Sequence, residues 1–239
     1  MDKIIKTTLG LFIVLLVAFV AVTAYTSYID TAYRNSLTSQ YTYSFTLSTD
    51  AVLTNVTLFV PVPEDTKSNS PVIETIGSGA VTGVPTGWKT ALFGTGKSTL
   101  LKIWAPQIGE TSANGAPVNT TITFAATANS PTAIDTLNPV ANASVFRPVQ
   151  KLNTIVCTGN DGSTVCSSYQ TSIYASYSAD PSATVTIHST VIGTNTWTIF
   201  KTEANAYKNQ ISVGIQGPNK GWVTAEGWIG AGEGTYTTS

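Results

Sequence analysis

Cys157 and Cys166 are the only thiols in the chain, and the segment between them, TGNDGSTV, carries a strong turn signal at Asn160-Asp161-Gly162. That spacing suits a hairpin closed by a disulfide, a bond that persists in an oxidising compartment. Zinc is the competing chemistry for cysteine. It fails on ligand number, because two thiols and His188, the single histidine, do not complete a four-ligand site. No metal is expected.

Other strings that could do chemistry lack the context it needs. Residues 91–98, ALFGTGKS, resemble a degenerate phosphate-binding loop with Ala91 in place of the first glycine. A working loop opens a long helix whose amino terminus holds phosphate, whereas Leu100 to Trp104 is short and soon meets Pro106. The segment from Trp88 to Trp104 reads instead as two strands joined by a turn at Gly94-Thr95-Gly96-Lys97. His188 shares its strand face with Thr184, Thr186 and Thr190, a solvent-side position. There is no G-x-S-x-G elbow, no free Cys for a Cys–His pair if the disulfide forms, and no paired carboxylates for acid–base work. The expectation is a protein with no catalytic residue and no cofactor, and not an enzyme.

The most suggestive surface lies near the carboxyl end. Trp222, Thr224, Glu226 and Trp228 share one strand parity, and Val223, Ala225 and Ile229 share the other. Two aromatics flanking an acid and a hydroxyl suit sugar rings or a neighbouring subunit. The plainer alternative, favoured by the usual burial of large apolar side chains, puts both rings in the core. Three sequons, at Asn55, Asn119 and Asn142, fit the N-glycosylation acceptor pattern of a translocated protein. At Asn55 and Asn119 the strand phase turns the asparagine away from the apolar parity, so these side chains are expected at the surface.

The elements that must carry these residues fall into two parts. Leu9 to Ile29 is an uncharged, mostly apolar run of 21 residues; at ~1.5 Å of rise each it matches the ~30 Å hydrocarbon core of a bilayer. Lys3 and Lys6 precede it, while Asp30 and Arg34 cancel on the other side, which predicts a cytoplasmic amino terminus and an extracellular remainder. Tyr25, Tyr28 and Tyr33 fall where an outer aromatic belt would lie. A cleaved signal peptide competes, since Val22-Thr23-Ala24 suits a signal peptidase. A pilin-type leader fits poorly: Thr7 follows Lys6, and no Glu lies in the apolar run.

Beyond residue 34 the chain carries nine basic and eleven acidic side chains, too few for a polybasic surface, so nucleic acid is excluded as a partner. Forty threonines, with many Val, Ile and Tyr, favour pleated, half-buried surfaces. Gln40 to Thr49 alternates cleanly with Tyr41, Tyr43, Phe45 and Leu47 on one face, and Thr54 to Val60 does so with Val56, Leu58 and Val60 inward. A hairpin of these two is expected. Further strands are predicted near Val72–Ile76, Lys89–Phe93, Thr99–Trp104, Val118–Ala126, Tyr169–Tyr177, Ala183–Ile192, Asn195–Thr202, Gln210–Gln216 and Trp222–Ile229. Glu203 to Asn209 is a short helical candidate. The stretch 128–150, rich in proline, reads as a long connection and the best sub-boundary.

The predicted architecture is therefore mainly β: an anchor over residues 1–36, then an extracytoplasmic antiparallel β-sandwich over 37–239, or two fused sandwiches. The segment Leu47 to Pro63, LSTDAVLTNVTLFVPVP, with Gly221-Trp-Val-Thr-Ala-Glu226-Gly and Gly232-Glu-Gly234, resembles uncharacterised archaeal surface proteins with one amino-terminal membrane segment. The resemblance implies an archaeal envelope setting and brings no activity or functional residue with it. The leading functional expectation is a structural or assembly role at the cell surface, as a filament or surface-array subunit. It implies membrane lipid as one partner, and self-association or another envelope protein as the second. A surface module that binds carbohydrate or a partner protein is the alternative.

Overall fold

The computed structural model describes residues 2–96, 98–115, 117–157 and 162–236. In chain order the elements are α1 (Asp2–Ser36), β1 (Thr38–Thr49), β2 (Leu53–Pro61), β3 (Pro63–Glu64), α2 (Pro71–Gly77), β4 (Lys89–Gly94), β5 (Thr99–Ile108), β6 (Thr120–Ser130), α3 (Pro139–Asn142), β7 (Val145–Phe146), β8 (Gln150–Ile155), β9 (Val165–Ser178), β10 (Thr184–Thr198), β11 (Thr202–Gln216) and β12 (Asn219–Gly234). The chain divides into two compact units, Met1–Thr38 with Thr196–Glu203, and Ser39–Asn195 with Ala204–Ser239.

In the first unit, α1 is 35 residues long, or about 50 Å, and is long and apolar enough to cross a membrane. Its large apolar side chains from Ile4 to Val22 are 50–73% exposed. Polar residues within the apolar run bond back to the helix itself: Thr23 Oγ1 lies 2.9 Å from the Val20 carbonyl and Thr26 Oγ1 3.0 Å from that of Thr23. Such bonds spare a hydroxyl from standing unsatisfied in hydrocarbon. The turn between β10 and β11 packs on the carboxyl end of α1, with the Trp197 ring edge-on to Tyr33 at 5.4 Å. Ser36 Oγ accepts the Thr198 N–H at 2.9 Å.

The second unit is built on a ten-stranded sheet in the order β4-β5-β2-β9-β12-β11-β10-β1-β6, with β8 pairing β9 beside it. Registers are antiparallel for β1–β6, β2–β5, β2–β9, β4–β5, β8–β9, β9–β12 and β11–β12. The helix α2 touches both β4 and β6, the two ends of that order, because the sheet curls over its own core. Thr82 exchanges both backbone hydrogen bonds with Ala125 of β6, at 2.9 and 3.0 Å, and so covers part of that edge. The result is the β-sandwich-like domain that the alternating strands imply. Its core takes Tyr43, Phe45 and Leu47 from β1, Leu58 and Val60 from β2, Ile173 from β9 and Tyr207 and Ile211 from β11, all buried. Each such aliphatic or phenyl side chain contributes about 1.5–3 kcal/mol.

Several expectations are corrected. β1 and β2 do not form a hairpin: β1 lies between β10 and β6, and β2 between β5 and β9. Pro61 closes β2 opposite Leu100 of β5, and the pairing with β9 is confined to Thr54 and Thr57–Phe59. Val72–Ile76 is not a strand but lies in α2, because Ser70 Oγ caps the Val72 N–H at 3.1 Å and Pro71 takes the first helical position. Glu203 to Asn209 is not helical but belongs to β11. The stretch 128–150 is no domain boundary either: Ile134, Ala143, Val145 and Phe146 enter the common core, and the division into units falls elsewhere. Two predicted turns fall partly outside the described residues, at Lys97 and at Asn160-Asp161. The disulfide itself joins Cys157 to Cys166, with 5.1 Å between their Cα atoms. In the chain-entropy model a loop this short stabilises by about 2.5–3 kcal/mol.

A candidate binding surface on the outer sheet

Strand alternation places Leu58, Ile103, Ile173 and Ala225 inward, and so forces their neighbours Phe59, Lys102, Trp104, Tyr174 and Trp222 to the outer face. Registers then bring these residues into line. Trp222 of β12 stands opposite Tyr174 of β9, Tyr174 opposite Phe59 of β2, Phe59 opposite Lys102 of β5, and Lys102 opposite Ala91 of β4. The next row runs Lys220, Ser176, Thr57, Trp104 and Lys89.

The rings touch along this row. Tyr174 meets Trp222 at 5.5 Å and Phe59 at 5.6 Å, and Phe59 meets Phe93 at 5.4 Å, all edge to face. Each such pair adds about 0.5–1.5 kcal/mol beyond its buried area and holds its members in fixed orientation. Trp222, Phe93 and Trp104 nonetheless remain 59%, 50% and 38% exposed. Lysines stand among the rings: Lys89 Nζ lies 5.5 Å from the Trp104 ring centre and Lys102 Nζ 5.7 Å from that of Phe59, within cation–π range. Neither row contains a carboxylate. The rings thus form a contiguous, partly exposed patch, and the charged side chains in its two rows are all lysines.

The predicted residues distribute unevenly over it. Trp222 is exposed rather than core and terminates the row. Thr224 is exposed opposite Ser172. Glu226 is exposed and accepts a hydrogen bond from Gln170 Nε2 at 3.0 Å. Trp228 is half-buried, its ring lying so close over Gly230 that a Cβ there would stand 2.3 Å from it. Six residues of strand separate Trp222 from Trp228, about 20 Å, so the two tryptophans do not frame one site. Phe59, Tyr174, Phe93, Trp104, Lys89 and Lys102 were missed by sequence reasoning confined to one strand. The available signal was Phe59 itself, an aromatic on the polar parity of β2.

The sequon asparagines are all exposed. Asn55 adopts φ 55° beside a bulge in the β2–β9 pairing, a left-handed conformation that asparagine tolerates. Asn142 Nδ2 donates to Asp135 Oδ2 at 2.7 Å, and Ser144 of the same sequon is buried.

Other places offer less. His188 Nε2 lies 2.9 Å from Thr190 Oγ1, and burial, then the nearby Lys208 charge, lower its pKa. A polar cleft of about 230 Å3 is lined by Asp65, Ser70, Glu74, Asn129 and Asn142. Its groups serve their own turns: Asp65 Oδ1 accepts from the N–H groups of Lys67 and Asn69, and Ser70 caps α2. Among the described residues no three of His, Cys, Asp and Glu gather as metal ligands would. No family model, no characterised protein and no solved structure matches this chain.

Proposed function

We propose that this chain is a non-enzymatic, single-pass envelope protein, amino terminus inside, whose external β-domain binds an acidic polysaccharide through the aromatic–lysine face. The observation that carries this reading is the unbroken row Trp222–Tyr174–Phe59 with Lys102 at its end and Trp104 and Lys89 alongside. Exposed rings stack on the apolar C–H faces of pyranose sugars, and ammonium groups interleaved with them pair with uronate or sulfate. Stacking tolerates salt, whereas the lysine contribution is screened as ionic strength rises. The archaeal resemblance and the exposed sequon asparagines at Asn55, Asn119 and Asn142 agree with an envelope setting.

The full-length protein in lipid nanodiscs, applied to a glycan array, tests the reading. Retention on acid-bearing glycans, reduced for Trp222→Ala at unchanged circular dichroism, is the expected result. Retention on neutral glycans alone, or on none, contradicts it.

A second reading, assembly into a filament or surface array, is supported by a different observation. The large apolar side chains of α1 from Ile4 to Val22 are all at least half exposed, and such a helix can pack in a polymer core as well as in lipid. Electron microscopy of native surface preparations separates the two, because ordered polymers are expected only for assembly.

A further inference from the structure

The turn Thr196–Glu203 belongs to the same compact unit as α1, and it carries Phe200 at its tip, 72% exposed. The Phe200 ring lies 6.3 Å from that of Tyr28. Tyr28 precedes Asp30, the first charged residue after the apolar run, and Asp30 is ion-paired with Arg34 at 3.0 Å. The tip of the turn therefore reaches past the first charges of the helix to the level where its apolar stretch ends. Its attachment there is firm: Trp197 is 1% exposed against Tyr33, and Thr38 Oγ1 and Ser36 Oγ reach the Thr196 and Thr198 carbonyls at 3.4 and 2.9 Å. Lys201 Nζ pairs with Glu203 at 3.0 Å, which leaves the tip without net charge. An aromatic side chain held in water gains nothing, whereas the same ring at the boundary between headgroups and acyl chains buries its apolar surface.

We propose that this turn is a second membrane contact, with Phe200 inserted beside Tyr28 into the outer lipid boundary. The proposal rests on the reading of α1 as a membrane span. With both contacts made, the turn fixes how far α1 emerges from the bilayer, and Tyr28 and Phe200 form one aromatic pair at the interface.

The test uses the full-length protein with Phe200→Cys, the native disulfide left intact, carrying a bimane label in nanodiscs. The nanodiscs contain phosphatidylcholine with a nitroxide either near the headgroup or near the chain end. Val17→Cys, labelled in the same way, reports on the span. The expected result is that the Val17 label is quenched by the deep nitroxide, while the Phe200 label loses about half its emission to the shallow one, as a side chain ~5–10 Å into the boundary should. A Phe200 label open to aqueous iodide and untouched by either lipid, with Val17 quenched, overturns the proposal and leaves the span intact. A Phe200 label shielded from both iodide and nitroxide points to a neighbouring copy and overturns it too. If the Val17 label is not quenched, the span reading falls and the proposal falls with it.

Discussion

Phe59 and Trp222 occupy outward strand positions that threonine and serine hold along β1, and that contrast is what separates the aromatic face from a plainly solvated one. The parity of Trp222 was legible in the sequence. Its exposure was not, because parity sorts residues into two faces without saying which face the rest of the chain covers. Glu64 is the opposite case, a charged residue that sequence gives no reason to bury. It is fully buried in β3, with Oε2 accepting the Thr99 N–H at 3.0 Å and Oε1 without a partner. Burial raises its pKa, against the opposing effects of the Thr99 bond and the Arg147 charge. A carboxyl whose pKa is higher folded than unfolded gives stability that is fully present below the unfolded value and is lost as pH rises through the folded one. Urea unfolding of the full chain across the acid range should therefore show wild type losing ground to Glu64→Gln as pH rises towards neutral. A difference between the two that does not change with pH would contradict this.

At the scale of elements, α2 and β11 show what periodicity misses. The run from Val72 to Ile76 is apolar enough for a strand, but Ser70-Pro71 is a helix start, and Val72 and Ile76 then bury together one turn apart. β11 was obscured because its inward positions include Asn205 and Asn209, polar residues where the pattern requires apolar ones. Asn209 is fully satisfied there: Oδ1 accepts the Phe146 N–H at 2.9 Å, and Nδ2 donates to the Tyr169 hydroxyl at 2.8 Å and the Trp228 carbonyl at 2.9 Å. It ties β7, β9 and β12 to one strand, and no single-strand signal announces such a role. Removing it strands the Phe146 N–H, and Asn209→Ala is expected to lower the unfolding free energy by about 2–3 kcal/mol. Chemical denaturation measures this; a loss below about 0.5 kcal/mol would mean that water replaces the amide.

For the whole molecule, the long apolar helix and the β-rich class were legible because a long apolar run and clean alternation are local properties. The topology was not, since pairing β1 with β6 and β2 with β9 joins segments far apart in sequence. The core lies within residues 41–229, and α2 and Thr82 cover the sheet ends. A fragment of residues 37–239 should accordingly be a monodisperse, β-rich monomer by size exclusion and circular dichroism. Soluble aggregate that becomes ordered only when subunits mix would instead indicate strand exchange at an open edge. The central claim is that the aromatic–lysine row holds an acidic glycan, and calorimetric titration of the full-length protein with a soluble acidic polysaccharide tests it most directly. Saturable binding that Trp222→Ala weakens roughly tenfold, about 1.4 kcal/mol, with melting temperature unchanged, is the expected result; equal affinity in wild type and variant would contradict it.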